Sequence, residues 1–107
     1  TVPATLEEAS KHFYALVLGL KQIPKPEGPN QNRGAWYQLG SAQLHLSLED
    51  GVQNEASKRH VCYSVSDIKA AETHFRGAGL EIILDDKASR FFLRDPGGNL
   101  IEIAERR

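Results

Sequence analysis

The chain of 107 residues has one cysteine, almost no net charge and no long apolar run. A lone cysteine, Cys62, cannot close an internal disulfide, so nothing points to an oxidising compartment. A formal net charge of −1 and a pI near 6.4 argue against a nucleic-acid-binding surface, which is normally basic. The longest apolar stretch, residues 14–20, falls far short of the ~18 residues that would span a membrane. No signal peptide is legible, and the start at Thr1 suggests that the natural N-terminus lies upstream. The expectation is a single cytoplasmic domain over residues 1–107, long enough to bury roughly 65% of its unfolded-chain surface.

What the sequence does contain is a faint internal repeat. Leu6, Ala9, His12 and Phe13 recur as Ile68, Ala71, His74 and Phe75, all at an offset of 62. In the second copy a strand carrying His60 precedes the helix; in the first, almost nothing does. Thr1-Val2-Pro3 reads as the tail end of a strand. Thr5 is a candidate helix cap, with Glu7 and Glu8 suited to the first turn. Leu6, Ala9, Phe13, Leu16 and Leu20 define the expected apolar face of that helix. A short run around Leu20 to Ile23 reads as a strand, and residues 24–34, rich in Pro, Gly and Asn, as an exposed loop. Residues 35–39 and 42–48 are strands around a Gly40-Ser41 turn, with Leu44, Leu46 and Leu48 alternating against Gln43, His45 and Ser47. Residues 49–58 read as a polar linker.

Residues 59–66 form the next strand, with Val61, Tyr63 and Val65 on one face and His60, Cys62 and Ser64 on the other. Asp67 caps a second helix whose core face is Ile68, Ala71, Phe75 and Ala78. Three strands follow, 81–84, 90–94 and 100–104, the last two joined by the turn Asp95-Pro96-Gly97-Gly98-Asn99. His12 and His74 read as solvated, Cys62 as a small buried residue, and Arg106-Arg107 as a frayed tail. The order is βαβββ twice: module one over about 1–50, a linker over about 50–58 and module two over about 59–107.

Three side chains stand where strands could hold a divalent metal. His60 opens a strand. Aligning Leu44-His45-Leu46 with Ile101-Glu102-Ile103 makes His45 and Glu102 equivalent positions on the last strands of the two modules. Two imidazoles and a carboxylate are ordinary divalent-metal donors. Spacing alone equally allows the plain reading of solvated strand histidines and a surface acid.

The stretch from Arg59 to Ile68, then Gly77-Ala78-Gly79-Leu80, then Phe91 through Glu102, closely resembles the vicinal oxygen chelate superfamily, and Phe13-Tyr14 with Val17-Leu18-Gly19-Leu20 fits the same pattern. That superfamily includes glyoxalase I, fosfomycin-resistance thiol transferases, extradiol dioxygenases and bleomycin-resistance proteins. The resemblance implies an α+β fold in which two βαβββ modules form a cup-shaped mixed sheet, here with the first strand of module one largely missing. It implies a metal inside the cup, held by His60, Glu102 and His45. The metal would be zinc, nickel, iron or manganese, since mixed nitrogen and oxygen donors suit all four. The family's fourth ligand position, on the first strand of module one, falls before Thr1. The expectation is therefore an incomplete N-terminus, with a three-residue site or loss of metal as the alternatives.

Under this resemblance Trp36, Gln38, Gln43, Ser47, Cys62, Ser64, Arg90 and Phe92 would line the cup, with Trp36 and Phe92 as apolar walls and Arg90 facing a substrate carboxylate or phosphate. Trp36 fits a core-packing role equally well. The implied function is a metal-dependent lyase, isomerase or dioxygenase acting on a small vicinal-oxygen substrate, with Glu102 as ligand and catalytic proton shuttle. The alternative is non-catalytic sequestration of a small molecule, as in the bleomycin-resistance proteins. The thiol-transferase branch fits less well, because Phe92 stands at a tyrosine position and no potassium loop is legible between Asp85 and Arg90. The implied partners are a small-molecule substrate and a second copy of the chain, a homodimer, with no nucleic acid and no membrane.

Overall fold

A computed structural model describes residues 1–85 and 89–106. Most of the Asp85–Arg90 connection and Arg107 of the expected tail lie outside the described residues. The chain divides into two compact units, Thr1–Gln53 and the unit that begins at Asn54.

In module one a 3₁₀ turn, Ala4–Leu6, leads into helix α1 (Glu7–His12), which continues as a π-helical turn over Phe13–Val17. Strands β1 (Lys21–Ile23), β2 (Ala35–Leu39) and β3 (Ala42–Leu46) follow as an antiparallel sheet in the order β1-β2-β3. Trp36 pairs with His45 and Gln38 with Gln43. Alternation along β2 buries Ala35 and Tyr37 on one face and leaves Trp36 and Gln38 on the other. Phe13 and Tyr14 complete this core, with the Tyr14 and Tyr37 rings 5.9 Å apart.

Two expectations for the first helix are corrected. Thr5 does not cap it; the 3₁₀ turn begins after Pro3, with no side-chain cap. The buried stripe is Ser10, Phe13 and Tyr14, while Ala9 and Leu16 are exposed. The cause is visible at the helix end, where the Leu18 amide donates to the Phe13 carbonyl five residues back. That wider turn moves Leu16 off the face a 3.6-residue period would give it. Strand β3 also ends at Leu46 rather than Leu48.

Ser10 Oγ and Tyr37 OH are buried and have no hydrogen-bond partner among the described residues. Burial raises the Tyr37 phenol's pKa, and the charge of Glu8 adds to it. Removing an unsatisfied buried hydroxyl while keeping the shape should be neutral or stabilising. Ser10→Ala and Tyr37→Phe should therefore each change stability by between zero and about +1 kcal/mol in urea unfolding. A loss of about 1 kcal/mol would mean that the hydroxyl is satisfied in solution.

In module two a 3₁₀ turn, Asn54–Ala56, precedes β4 (His60–Val65), helix α2 (Ile68–Gly77), β5 (Ile83–Asp85), β6 (Arg90–Arg94) and β7 (Leu100–Glu105). The sheet order is β4-β7-β6-β5, with β4 parallel to β7 and the other pairs antiparallel. Asp67 caps α2 as its residue type predicts: its side chain accepts from the Ala70 amide at 3.0 Å. Tyr63, Phe75, Phe91, Leu93, Ile101 and Ile103 make the core. Phe75 is buried and Ile68 and Ala71 are half-buried, but Ala78 is exposed because α2 ends before it. The segment expected as a plain linker contains the Asn54–Ala56 turn, with Asn54 buried.

The repeat is written into the hydrogen bonding as well. Val2 pairs in parallel with Leu48, and Val65 pairs in parallel with Glu105. Glu49 N donates to Val2 O at 2.9 Å, and Arg106 N to Val65 O at 2.6 Å. Val2, as an isolated bridge, thus makes the parallel contact that Val65 makes at the end of β4.

Candidate functional site

The face of the module-two sheet opposite its core carries a polar cluster. Parallel pairing sets Cys62 beside Glu102, and antiparallel pairing sets Phe92 on the other side of Glu102. Period-two alternation puts all three on one face with His60 and Arg90. Glu102 is only 9% exposed, so its carboxylate needs partners. His60 Nε2 lies 3.1 Å from Glu102 Oε1, and Arg90 Nη1 lies 3.6 Å from Oε2. Arg90 is itself held by Asp85, Nε to Oδ2 at 2.8 Å, and lies over the Phe92 ring at 5.5 Å. The His60 ring meets Phe92 edge-on at 5.6 Å.

The other nitrogen of His60 decides what the ring can offer. Nδ1 is 2.9 Å from the Lys58 carbonyl oxygen. A carbonyl only accepts, so Nδ1 carries a proton, and Nε2 is the ring nitrogen that faces the Glu102 carboxylate, an acceptor to which it donates whenever it too carries a proton. A backbone carbonyl behind the ring is the usual orienting partner of a metal-binding histidine.

Cys62 corrects its expectation: it is exposed, not buried. Local desolvation, then a hydrogen bond to Glu102 and that carboxylate's charge, raise its thiol pKa. That direction favours the thiol over the nucleophilic thiolate.

Module one gathers a different set. The Trp36 and His45 rings stack at 3.6 Å with 4° between their planes. Gln43 Oε1 lies 3.0 Å from His45 Nε2. Gln38 turns away from this group; its amide donates to the carbonyls of Gly40 at 2.7 Å and Ala42 at 3.2 Å, bracing the β2–β3 turn. The structure thus brings His60, Glu102, Arg90, Phe92 and Cys62 together in one module, and Trp36, Gln43 and His45 in the other.

Sequence reasoning missed Lys58, Asp85 and the basic residues of the loop before β2. Lys58 acts through its carbonyl, which no side-chain pattern reveals. Asp85 was visible only as an acid just after the expected strand 81–84. Lys25 and Arg33 were visible as two cations flanking a Pro/Gly/Asn loop.

A cation site can be tested on this geometry. Two donors ~2.1 Å from one ion, at angles from square to tetrahedral, stand roughly 3.0–3.4 Å apart. His60 Nε2 and Glu102 Oε1 stand 3.1 Å apart, so an ion would take the place of the proton between them. This pair fits a divalent ion. Among the described residues no group of three His, Cys, Asp or Glu side chains is gathered as a metal site, so the pair alone is what module two offers.

An α+β chain of two repeated modules, each a helix followed by three strands with a parallel contact before the helix, defines a recognisable class. The sequence model of the Glyoxalase/Bleomycin resistance protein/Dioxygenase superfamily matches residues 7–103, and the chain belongs to that superfamily. A glyoxalase family protein from Bacillus anthracis is similar over 98% of this chain and 88% of its own, with TM-score 0.84 and 29% identity. An antibiotic-binding protein from Streptomyces sp. CB03234 is similar over 99% and 91%, with TM-score 0.74 and 17% identity. A lactoylglutathione lyase from Agrobacterium tumefaciens is similar over 92% and 84%, with TM-score 0.68 and 20% identity. The last two share the fold at identities too low to carry function. No curated protein matches the chain. No helix among the described residues is long and apolar enough to cross a membrane.

Proposed function

We propose that the chain is a divalent-metal-dependent enzyme of the glyoxalase superfamily, of the lyase, isomerase or dioxygenase type, acting on a small substrate with vicinal oxygens. His60 and Glu102 of module two are the protein donors. The observation that carries this reading is the Lys58 carbonyl behind His60, which accepts from Nδ1 and leaves Nε2, the nitrogen facing Glu102, as the one a metal would bind in place of the proton between them. A bound divalent ion would act as a Lewis acid on substrate oxygens. Glu102 holds its carboxylate in a shielded place where it could also take up a proton from substrate. Arg90, fixed by Asp85 and Phe92, keeps a positive charge on the same face. The lyase and the glyoxalase family protein among the structural relatives agree with this reading.

Arg90 also favours a second reading. Its guanidinium already faces Glu102 Oε2, so the carboxylate is partly neutralised without an ion. Such a face suits a protein that sequesters a small molecule without chemistry, and an antibiotic-binding protein shares the fold.

Metal titration by calorimetry, with metal content by mass spectrometry on untagged protein, separates the two. The wild type should hold about one zinc, nickel, iron or manganese ion per chain. Glu102→Gln and His60→Ala should each weaken binding by at least tenfold to a hundredfold, the scale seen even for groups that only orient a ligand. No binding of any of the four ions by the folded wild type would overturn the metal reading and leave sequestration.

A further inference from the structure

We infer that module one carries a binding site of its own for a planar aromatic carboxylate of one or two rings. The inference concerns module one alone and does not rest on a cation at His60 and Glu102.

A cavity of about 360 Å³ opens beside β2 and β3, and its lining includes Lys25, Asn30, Arg33, Trp36, His45 and Ser47. No acidic side chain lines it. Three observations fix what it would hold. The first is charge. Lys25 and Arg33 converge on one space, so an anion is favoured there. Lys25 Nζ donates to the Asn30 carbonyl at 2.7 Å and also to the Arg33 carbonyl, so the lysine is spent on shaping the loop. Arg33 has no hydrogen bond or ion pair from its guanidinium among the described residues. Its charge also acts on Glu7, but its donors are unspent, and its planar fork matches a carboxylate.

The second observation is shape. The Trp36–His45 stack, 3.6 Å apart and 4° from parallel, lays the imidazole face to face on the indole and offers a flat outer ring face. Gln43 holds the imidazole in register through Nε2, so the platform is built before a ligand arrives. A flat π surface of this kind takes a flat ring. This gives His45 a role as a stacking surface rather than as a metal donor.

The third is size. Ligand pockets run from about 300 to 1,000 Å³, and this one lies at the low end. It fits a ring with an acid group and is too small for an extended multi-ring molecule. Ser47 and Asn30 add polar residues to the lining.

Trp36 is the chain's only tryptophan, so its fluorescence reports on the pocket directly. The titration uses benzoate and 1-naphthoate in the presence of EDTA, with 1-naphthalenemethanol as the neutral ring and acetate as the ringless anion. Calorimetry on the same samples removes absorbance artefacts. Saturable binding of either aromatic acid, at least tenfold tighter than both controls, is expected. Arg33→Gln should weaken it roughly tenfold or more, the scale of a lost charge-assisted hydrogen bond. His45→Ala should weaken the aromatic acids while leaving acetate unchanged. Both side chains are exposed, and circular dichroism confirms that the variants fold. The inference is overturned if neither acid saturates below about 10 mM, if the neutral ring binds as well, or if Arg33→Gln binds like wild type. Because EDTA is present throughout, loss of this binding says nothing about the cation pair.

Discussion

Gly34→Ala should destabilise the chain by at least about 3 kcal/mol, a large share of the ~5–15 kcal/mol that holds a typical domain. Gly34 has φ +69°, where an L side chain is strained by roughly 1–2 kcal/mol. A Cβ there would also stand 2.2 Å from the Leu46 carbonyl oxygen and 3.2 Å from its carbon. Those are backbone atoms of β3, so no rotamer change relieves the clash. The strand would have to move, and Leu46 is core. The Gly34 amide donates to Glu7 Oε2 at 2.8 Å. That bond, followed by Lys11, lowers the Glu7 pKa, so displacing Gly34 also detaches the loop from α1. Gly51→Ala is the control. Its φ is +78°, but nothing lies within 4 Å of its Cβ position, and it should lose only the ~1–2 kcal/mol of backbone strain. Chemical unfolding of the two variants checks this; equal losses would mean that β3 yields to the added methyl.

Gly34 also shows where the sequence stops being informative. It lies in a stretch that reads only as an irregular loop, and nothing local marks it as the point where the chain passes β3. The contact joins residues 34 and 46, and spacing does not encode such an approach. The strands were legible because alternation of apolar and polar residues is strong in β3, β4 and β7, and because the turn after Arg94 uses residues with few other options. The Val2 bridge was legible because the repeat supplies its counterpart at Val65. The face of α1 was not, because a π turn breaks the period on which that reading depends. His60 and Glu102 were nameable as a pair. What makes them a candidate site, the Lys58 carbonyl and the Arg90 guanidinium, comes from main-chain direction and sheet register. Gln38 looked like a pocket residue because it shares a face with Trp36, yet its amide is consumed by its own turn. Face membership fixes a neighbourhood; it does not fix which hydrogen bond a flexible amide makes.

Asp95→Ala should lower stability by about 3 kcal/mol, through a turn that looks at first like a simple connection. Asp95 is 4% exposed. Its carboxylate accepts the Asn99 amide at 2.8 Å and the Asn99 side chain at 3.0 Å. Its backbone closes the turn, Asp95 N to Asn99 O and Gly98 N to Asp95 O, both at 2.9 Å. The turn in turn holds the start of the module. Asn54 Nδ2 donates to the Gly97 carbonyl at 3.0 Å, and Arg94 Nη1 reaches the carbonyls of Gly98 at 2.8 Å and Asn54 at 3.3 Å. Hydrogen bonds to a charged group contribute about 1.5–3 kcal/mol each, and removing the acceptor strands its donors. The same turn sets the β6–β7 register that puts Glu102 opposite Phe92. Asp95→Asn keeps one oxygen acceptor and should cost roughly half as much. If the asparagine variant loses as much as the alanine, the carboxylate's charge holds the turn; if it loses almost nothing, one acceptor suffices and the second bond is dispensable.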